Sequence, residues 1–314
     1  MTLHFRALAA QAAEDSAISA QEILALRRAA WPDGKIDPEE AEAIFILNDQ
    51  IKEPTREWSD FFLEALVEFV VNGTDPRGHI SSENARWLIE RVSHDGKVDS
   101  LTELELLVRV LEKAYSAPDA LRMFVLEQIE REVLTGEGPT RCGGMLDPGS
   151  ITAAECTLIR RTIFASGGDR PAGVSQSEAE MLFRLKDETL GANNAPAWER
   201  LFVQGVGNYL QGWNGAKGIT RERAAELESF MNDRSSHIGG FFGRMAKTSA
   251  SGFAQAVRDV TFGRKQPQRD IAGEAARDHA VTDTENLWLQ ARMDADGQID
   301  PLEEALLAFL AEEA

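Results

Sequence analysis

The chain has 314 residues, 43% of them hydrophobic, which is enough for two domains with ordinary cores and argues against global disorder. It carries 52 acidic and 33 basic side chains, a net charge of −19, so its surface as a whole repels nucleic acid and anionic membranes. Cys142 and Cys156 lack metal-binding spacing, and no apolar stretch approaches the length of a membrane span. We expect a cytoplasmic protein without a nucleic-acid partner.

Amphipathic helical segments follow one another in the same order twice along the chain. The segment EWSDFFLEALVEFVV (57–71) resembles AWERLFVQGVGNYLQ (197–211), and WLIERVSHDGKVDSLTELELL (87–107) resembles WLQARMDADGQIDPLEEALL (288–307). In both copies apolar residues recur at intervals of three and four, which is typical of helices. The sequence therefore predicts an all-α fold of two tandem copies of a multi-helix unit joined by EF-hand-like turns.

The copies have predicted boundaries. We place the first repeat at residues 1–136, a linker rich in Gly and Pro at 137–150, and the second repeat at 151–314. The spacing between matching residues grows by 62 within the second copy, which indicates an insertion at about 233–282. We expect the core, rather than a ligand cage, to hold the tryptophans at matching helix positions, namely Trp58, Trp87, Trp198 and Trp288.

Three loops share the pattern Asp-Gly-x-Ile/Val followed by acidic residues: DGKIDPEE, DGKVDSLTE and DGQIDPLEE. Oxygen ligands at alternate positions around a glycine are what calcium loops use. The third loop matches best, although Arg292 stands at the first ligand position. The candidate ligands for Ca²⁺ or Mg²⁺ are Asp294, Asp296, Asp300 and Glu303 in that loop, then Asp33, Asp37 and Glu40, and Asp95, Asp99 and Glu103.

The same residues also fit helix capping without any metal. An Asp before a Pro is a good N-cap, and a Glu three residues after the cap completes a capping box, which stabilises a helix by about 1 kcal/mol. This pattern occurs in Asp37 with Glu40, in Asp300 with Glu303, and as Ser100 with Glu103. The hydrophobic residue after each glycine is then expected to fill the core, as Ile36, Val98 and Ile299. Cation loop and capped turn both remain open.

These loops resemble those of the tellurium-resistance TerB-like family and, more loosely, degenerate EF-hands. The matching residues are Asp33, Gly34, Ile36 and Glu40, then Asp296, Gly297, Ile299 and Glu303, with a partial match at Asp95, Gly96 and Val98. The resemblance covers the loops and their flanking helices in each copy. It implies compact helical units whose acidic loops can take divalent cations, in proteins associated with stress-response machinery.

The insertion differs in charge from the rest of the chain. Residues 234–269 contain seven basic side chains and one acidic side chain, and apolar residues recur there at near-helical spacing. This pattern indicates either a solvated inserted loop or a basic amphipathic segment that contacts a protein partner, anionic lipid or the protein's own acidic surface. Membrane contact is expected only here. The candidate partner-binding residues are Phe242, Arg244, Met245, Lys247, Phe253 and Arg258.

Catalytic motifs do not emerge from the sequence. The five histidines are scattered, and no GxSxG, HExxH or phosphate-binding glycine motif is present. We therefore predict a non-catalytic interaction module that responds to a divalent cation through its acidic loops. The alternatives are a purely structural protein–protein scaffold whose loops are capped turns without metal, and an enzyme whose site is assembled from distant residues.

Overall fold

The structure is a computed structural model that describes residues 18–30, 35–52, 54–93, 96–141, 148–167, 173–210, 283–293 and 299–313. These residues form α-helices, one 3-10 turn at Pro139–Arg141 and no β-strand, which confirms the all-α prediction. No helix among them is long and apolar enough to cross a membrane. The helices are α1 (Ala20–Ala30), α2 (Pro38–Gln50), α3 (Arg56–Asn72), α4 (Ser82–Val92), α5 (Leu101–Lys113), α6 (Asp119–Thr135), α7 (Ala153–Ile163), α8 (Gln176–Glu188), α9 (Ala197–Leu210), α10 (Asp283–Met293) and α11 (Pro301–Glu313).

Local sequence signals explain where several helices begin. Helices α2 and α11 begin at Pro38 and Pro301, where the missing proline N–H removes no helical hydrogen bond. Helix α4 begins after Ser81, whose hydroxyl accepts a hydrogen bond from the backbone N–H of Asn84 at 3.0 Å. These starts agree with the predicted loop positions, because capping satisfies backbone donors that the helix itself leaves unpaired.

Each half of the described chain is organised around one apolar helix. In the first half α3 packs against α1, α2, α4 and α5, and in the second half α9 packs against α7, α8 and α11. Helix α3 is buried along much of its length, with Phe61, Phe62 and Leu66 fully inaccessible to solvent. Such burial of large side chains is the main source of stability, because each removes apolar surface from water.

An aromatic cluster joins α2, α3 and α4 in the first half. The rings of Phe45 and Phe62 meet edge to face with centroids 5.3 Å apart. Trp87 of α4 packs against Phe45 at 5.6 Å and against Phe69 of α3 at 5.2 Å. Edge-to-face pairs of this kind stabilise a core beyond their buried area, so the cluster fixes how the three helices cross.

A second aromatic cluster joins α8, α9 and α10. The rings of Phe183 and Phe202 lie 5.2 Å apart with an interplanar angle of 76°. Trp288 of α10 packs against Phe183 at 5.4 Å and against Tyr209 of α9 at 4.9 Å. The two clusters therefore use aromatic residues on corresponding helices and almost the same ring geometry.

The predicted core positions are correct with one exception. Trp58 and Trp198 are 0% and 1% exposed, and the other two tryptophans pack partly buried against the core. Ile36 and Val98 are each 4% exposed, as expected, whereas Ile299 is 57% exposed and the core prediction for it is wrong.

Different neighbours explain the difference between Val98 and Ile299. Val98 lies beside α6, and its backbone N–H donates a hydrogen bond to the Gln128 side chain of that helix at 3.3 Å. Within the described ranges Ile299 makes no comparable hydrogen bond to another helix.

Arginine–glutamate pairs connect the two halves. Helix α5 packs against α7, and α6 packs against both α7 and α8. The Arg161 guanidinium of α7 donates to Glu105 at 2.7 and 3.0 Å and to Glu112 at 2.8 Å, both on α5. Arg184 of α8 likewise donates to Glu130 of α6 at 2.8 and 3.0 Å. Two-pronged guanidinium–carboxylate pairs fix orientation as well as distance.

Protonation of Glu105 should weaken the junction at low pH. Burial raises the pKa of Glu105, but hydrogen bonds from Arg161 and Arg109 outweigh it and leave the pKa below its ordinary value of 4.5. A lowered carboxyl pKa stabilises the fold above the unfolded value, and this contribution is lost as the pH falls through the folded value. We expect Glu105→Gln to lower the free energy of unfolding by roughly 1–2 kcal/mol at pH 7. In urea unfolding this difference should shrink as the pH falls below 4.5. A constant difference, equal to that of Glu57→Gln on an exposed carboxylate of α3, would contradict the assignment.

The two aromatic clusters should contribute equally to stability. Phe62→Ala and Phe202→Ala each remove a fully buried ring, so each should lower the free energy of unfolding by about 3–5 kcal/mol in urea unfolding. Leu24→Ala, at a side chain that is 47% exposed, serves as the control and should change it by less than about 0.5 kcal/mol. A loss confined to one of the two phenylalanines would show that the clusters are not equivalent.

Candidate functional site: the acidic helix starts

The predicted cation ligands fall into two groups in the structure. Asp33, Asp95, Asp294 and Asp296 lie outside the described residues. The other six stand at the beginnings of three helices, with Asp37 and Glu40 at α2, Asp99 and Glu103 at α5, and Asp300 and Glu303 at α11. The structure does not group these three pairs with one another.

Helix α2 begins with the predicted capping box. The Asp37 carboxylate accepts a hydrogen bond from the Glu40 backbone N–H at 2.8 Å, and the Glu40 carboxylate accepts one from the Asp37 N–H at 3.1 Å. Glu40 is buried although it is acidic, being 4% exposed. The capping prediction for this pair is confirmed.

Helix α5 begins with a related cap one residue later along the loop. The Ser100 hydroxyl accepts a hydrogen bond from the Glu103 backbone N–H at 3.2 Å. Glu103 is buried at 5% exposure, whereas Asp99 is exposed. Ser100 therefore takes the position that Asp37 has in α2.

Helix α11 begins with the same reciprocal arrangement. One oxygen of Asp300 accepts from the backbone N–H groups of Leu302 and Glu303 at 2.8 and 3.0 Å. The Glu303 carboxylate accepts from the Asp300 N–H at 3.1 Å. Capping alone leaves one oxygen of each carboxylate free for another partner.

Lys186 of α8 supplies that partner. Its ammonium nitrogen lies 2.5 Å from Asp300 Oδ2 and 2.7 Å from Glu303 Oε1, and it also lies 2.9 Å from Asp187 Oδ1. The three buried members, Lys186, Asp300 and Glu303, are 2%, 7% and 1% exposed. A positive charge therefore already sits between the two carboxylates that were predicted to bind a cation.

The charges within this triad stabilise one another. Burial lowers the pKa of Lys186, but hydrogen bonds to Asp300, Glu303 and Asp187 outweigh it and raise the pKa above the ordinary value of 10.5. The Lys186 ammonium also lies 5.5 Å from the centre of the Phe183 ring, a favourable cation–π distance. Lys186 therefore acts as a fixed internal cation that connects the end of α8 to the start of α11.

Two further helix starts repeat this principle with arginine. At α8 the Ser175 backbone N–H and hydroxyl donate to Glu178 at 2.7 Å, and Arg122 of α6 lies 3.3 Å from the same carboxylate. Burial raises the pKa of Glu178, and Arg122 opposes this effect. The Arg122–Glu178 pair also crosses between the two halves.

The start of α7 contains the most deeply buried pair. Arg141 donates through two nitrogens to the two oxygens of Glu155, at 2.7 and 2.8 Å, and both residues are 0% exposed. Glu155 also completes a capping box with Thr152. Thr140 connects this pair to Glu132 of α6, whose pKa is raised chiefly by burial. Arg141, which belongs to the predicted linker, is therefore buried against the start of α7.

Sequence reasoning missed the cations in these pairs. The burial of Lys186 could have been predicted from the sequence, because Lys186 follows Leu182 and Phe183 at helical spacing and so lies on the apolar face of α8. The capping signatures Thr152 with Glu155 and Ser175 with Glu178 were also readable. Arg141 had no such signal, because it lies among Gly and Pro residues where no periodicity applies.

Other predicted features have a mixed outcome. Cys156 is buried, as expected, and burial raises the pKa of its thiol to about 11, which makes it unreactive at neutral pH. All six candidate partner-binding residues of the insertion lie outside the described residues. Within the described ranges, no three His, Cys, Asp or Glu side chains are grouped so that they could hold a metal ion.

Comparisons of the chain with protein-family models, with curated proteins and with solved structures found no match.

Removing the Lys186 charge should destabilise the fold strongly. Lys186→Met leaves two buried carboxylates without a counter-charge, so we expect the free energy of unfolding at pH 7 to fall by about 3–5 kcal/mol. The loss should be smaller at pH 4, because unpaired buried carboxylates take up protons more readily. In the parent the Lys186 contribution should persist below pH 10.5 and decline as the pH rises through its raised pKa. Lys97→Met, on an exposed lysine, is the matched control, and an equally small effect of both variants in chemical denaturation would exclude the triad as a stabilising element.

Proposed function

We propose that the protein is a non-catalytic helical interaction scaffold whose acidic loops act as capped helix starts, with an internal ion pair at α11. Of the two interpretations of the loops, the geometry favours the capped turn over the cation loop. The observation that carries this choice is the Lys186 ammonium, which lies within 2.7 Å of both Asp300 and Glu303. A divalent cation at these oxygens would have to displace a buried ammonium that the same oxygens bind.

Electrostatics explain how a lysine can take the role that a metal ion has in a calcium loop. Two carboxylates that approach each other in a desolvated site need a compensating positive charge, since burial of unpaired charge costs several kcal/mol. A calcium loop obtains that charge from the ion. Here a tethered lysine provides it at all times, so the start of α11 does not depend on the concentration of an ion. Such a loop suits a constitutive scaffold better than a cation sensor.

We further propose that the scaffold consists of two copies of one ancestral unit. Equivalent helices have equal lengths in four of five cases, from 11 residues in α1 and α7 to 13 in α5 and α11. Equivalent ion pairs also recur, as Arg91 with Glu42 in the first half and Arg292 with Glu180 in the second. Independent origin of the same aromatic and ionic partners is improbable, because neither is required by helicity alone.

We also propose a cellular location and a partner-binding surface for the scaffold. We assign the scaffold to the cytoplasm and retain the TerB-like resemblance as a proposal about ancestry, supported by Ile36 and Val98 buried behind their loops. The basic insertion, through Phe242, Arg244, Met245, Lys247, Phe253 and Arg258, is proposed as a contact for a protein partner because its charge is opposite to that of the remaining chain.

Calorimetric titration distinguishes the scaffold from a cation-responsive module. Chelator-treated protein should release no saturable heat with Ca²⁺ or Mg²⁺ up to about 1 mM, and its melting temperature should stay constant, because no state is stabilised by ligand binding. The Asp296→Asn, Glu303→Gln double variant is the control and should behave in the same way toward both ions. Micromolar binding that raises the melting temperature of the parent and disappears in the double variant would overturn the proposal.

A further inference from the structure

A surface groove runs between α3 and α5 in the first half. It has a volume of about 550 Å³. Its floor contains Leu63, Val67 and Val71 of α3, of which Leu63 and Val71 are 4% and 3% exposed. Tyr115, just after α5, forms one end and is 69% exposed. An exposed tyrosine beside an apolar floor is typical of binding hot spots.

The tyrosine at the end of the groove is held in place by the backbone. The Tyr115 N–H donates to the Gly78 carbonyl at 2.7 Å. Gly78 has a φ of +81°, and a Cβ there would lie 2.3 Å from the Tyr115 ring. Glycine is therefore required for the ring to lie against this turn, and the exposed aromatic surface is pre-organised rather than mobile.

The second half contains the same groove in a filled form. The equivalent of Val67, counted from Trp58 and Trp198, is Gly207. The ring of Phe309 on α11 packs directly on Gly207, with ring atoms 2.6 and 3.0 Å from where a Cβ would lie. Counted from the helix caps Ser100 and Asp300, the position in α5 equivalent to Phe309 is Arg109. Arg109 turns to its own helix and donates to Glu105 at 2.7 Å. The first half thus leaves open a space that the second half fills with an aromatic ring.

Charges line the two sides of the open groove in opposite senses. The α3 side carries Glu68 and Glu64, the latter already paired with Arg27 of α1 at 2.6 Å, and the α5 side carries Arg109 and Lys113. Lys113 is exposed and makes no ion pair with any described residue. A helical ligand complementary to this groove would carry basic side chains toward α3 and acidic side chains toward α5.

From this geometry we infer that the α3–α5 groove binds an amphipathic helix of a partner protein, with an aromatic anchor on the floor and charges of opposite sign on its two flanks. The ring of Phe309 shows the chemistry that the floor accepts, and the lining charges orient the helix. The inference rests on the proposed scaffold function and names the class of its partner. The cation titration concerns α11 and the groove lies between α3 and α5, so failure of one does not imply failure of the other.

The chain itself supplies the variant that closes the groove. Val67→Gly with Arg109→Phe transfers the Gly207–Phe309 pair into the first half and should fill the floor from within. Lys113→Glu reverses the sign of one flank without changing the floor. Lys97→Glu makes the same charge change on an exposed residue elsewhere and is the matched control. Thermal melts by circular dichroism establish that each variant is folded before binding is measured.

The probe is a displayed library of 20-residue helical peptides, with one face randomised among apolar residues and the flanks among charged residues, selected against the full chain. We expect enriched peptides to share an aromatic anchor at helical spacing, with acids on one flank and bases on the other. By fluorescence anisotropy the enriched peptide should bind about tenfold more weakly to Lys113→Glu and lose binding to the filled-groove variant. Binding to Lys97→Glu should equal that to the parent.

Four results would overturn the inference. Enriched peptides could bind the filled-groove variant as tightly as the parent, or the library could yield no charge-patterned peptide at all. A synthetic peptide of residues 234–269 that displaces the selected peptide would assign the groove to the chain's own basic segment. Self-association of the parent that is lost in the filled-groove variant would assign it to a second copy of the chain.

Discussion

The described fold depends on one electrostatic constraint, the burial of a carboxylate at the beginning of a helix. The carboxylate of a glutamate at the third helical position accepts a hydrogen bond from the N-cap backbone N–H. In this protein the same glutamates, Glu40 and Glu303, are buried by the surrounding helices. A buried carboxylate needs a positive partner because the interior solvates charge poorly. At α7, α8 and α11 the partner is a buried arginine or lysine from another element. Each cap consequently acts as a tertiary contact.

This constraint links local capping to the assembly of the two halves. The cation for α8 comes from Arg122 of α6, across the junction, and the cation for α11 comes from Lys186 of α8. Arg141 for α7 lies in the segment between the halves. The order of the helices is therefore fixed by directional, charge-specific contacts in addition to apolar packing, which by itself tolerates many arrangements.

The two halves have similar aromatic cores and differ at the surface. Their aromatic clusters have nearly the same ring distances. By contrast, Ile299 is exposed where Val98 is covered, and Arg109 leaves a groove where Phe309 fills it. Core positions are restrained by close packing, whereas surface positions can change without loss of the fold. Under the duplication proposed above, one half provides support and the other provides the proposed binding groove.

The sequence by itself determined the helical class, the starts of α2, α5 and α11, and the burial of Trp58 and Trp198, because periodicity and capping act within a few residues. It could not decide whether the acidic loops hold a metal or a cap, since the same Asp and Glu spacing satisfies both. Only the tertiary structure brought Lys186 to Asp300 and Glu303, across more than a hundred residues of chain. It likewise decided that Val98 is covered and Ile299 is not, because burial depends on which helix lies above a residue. Ion pairing and the burial of a side chain under another helix both depend on residues distant in sequence, so a local pattern cannot specify them.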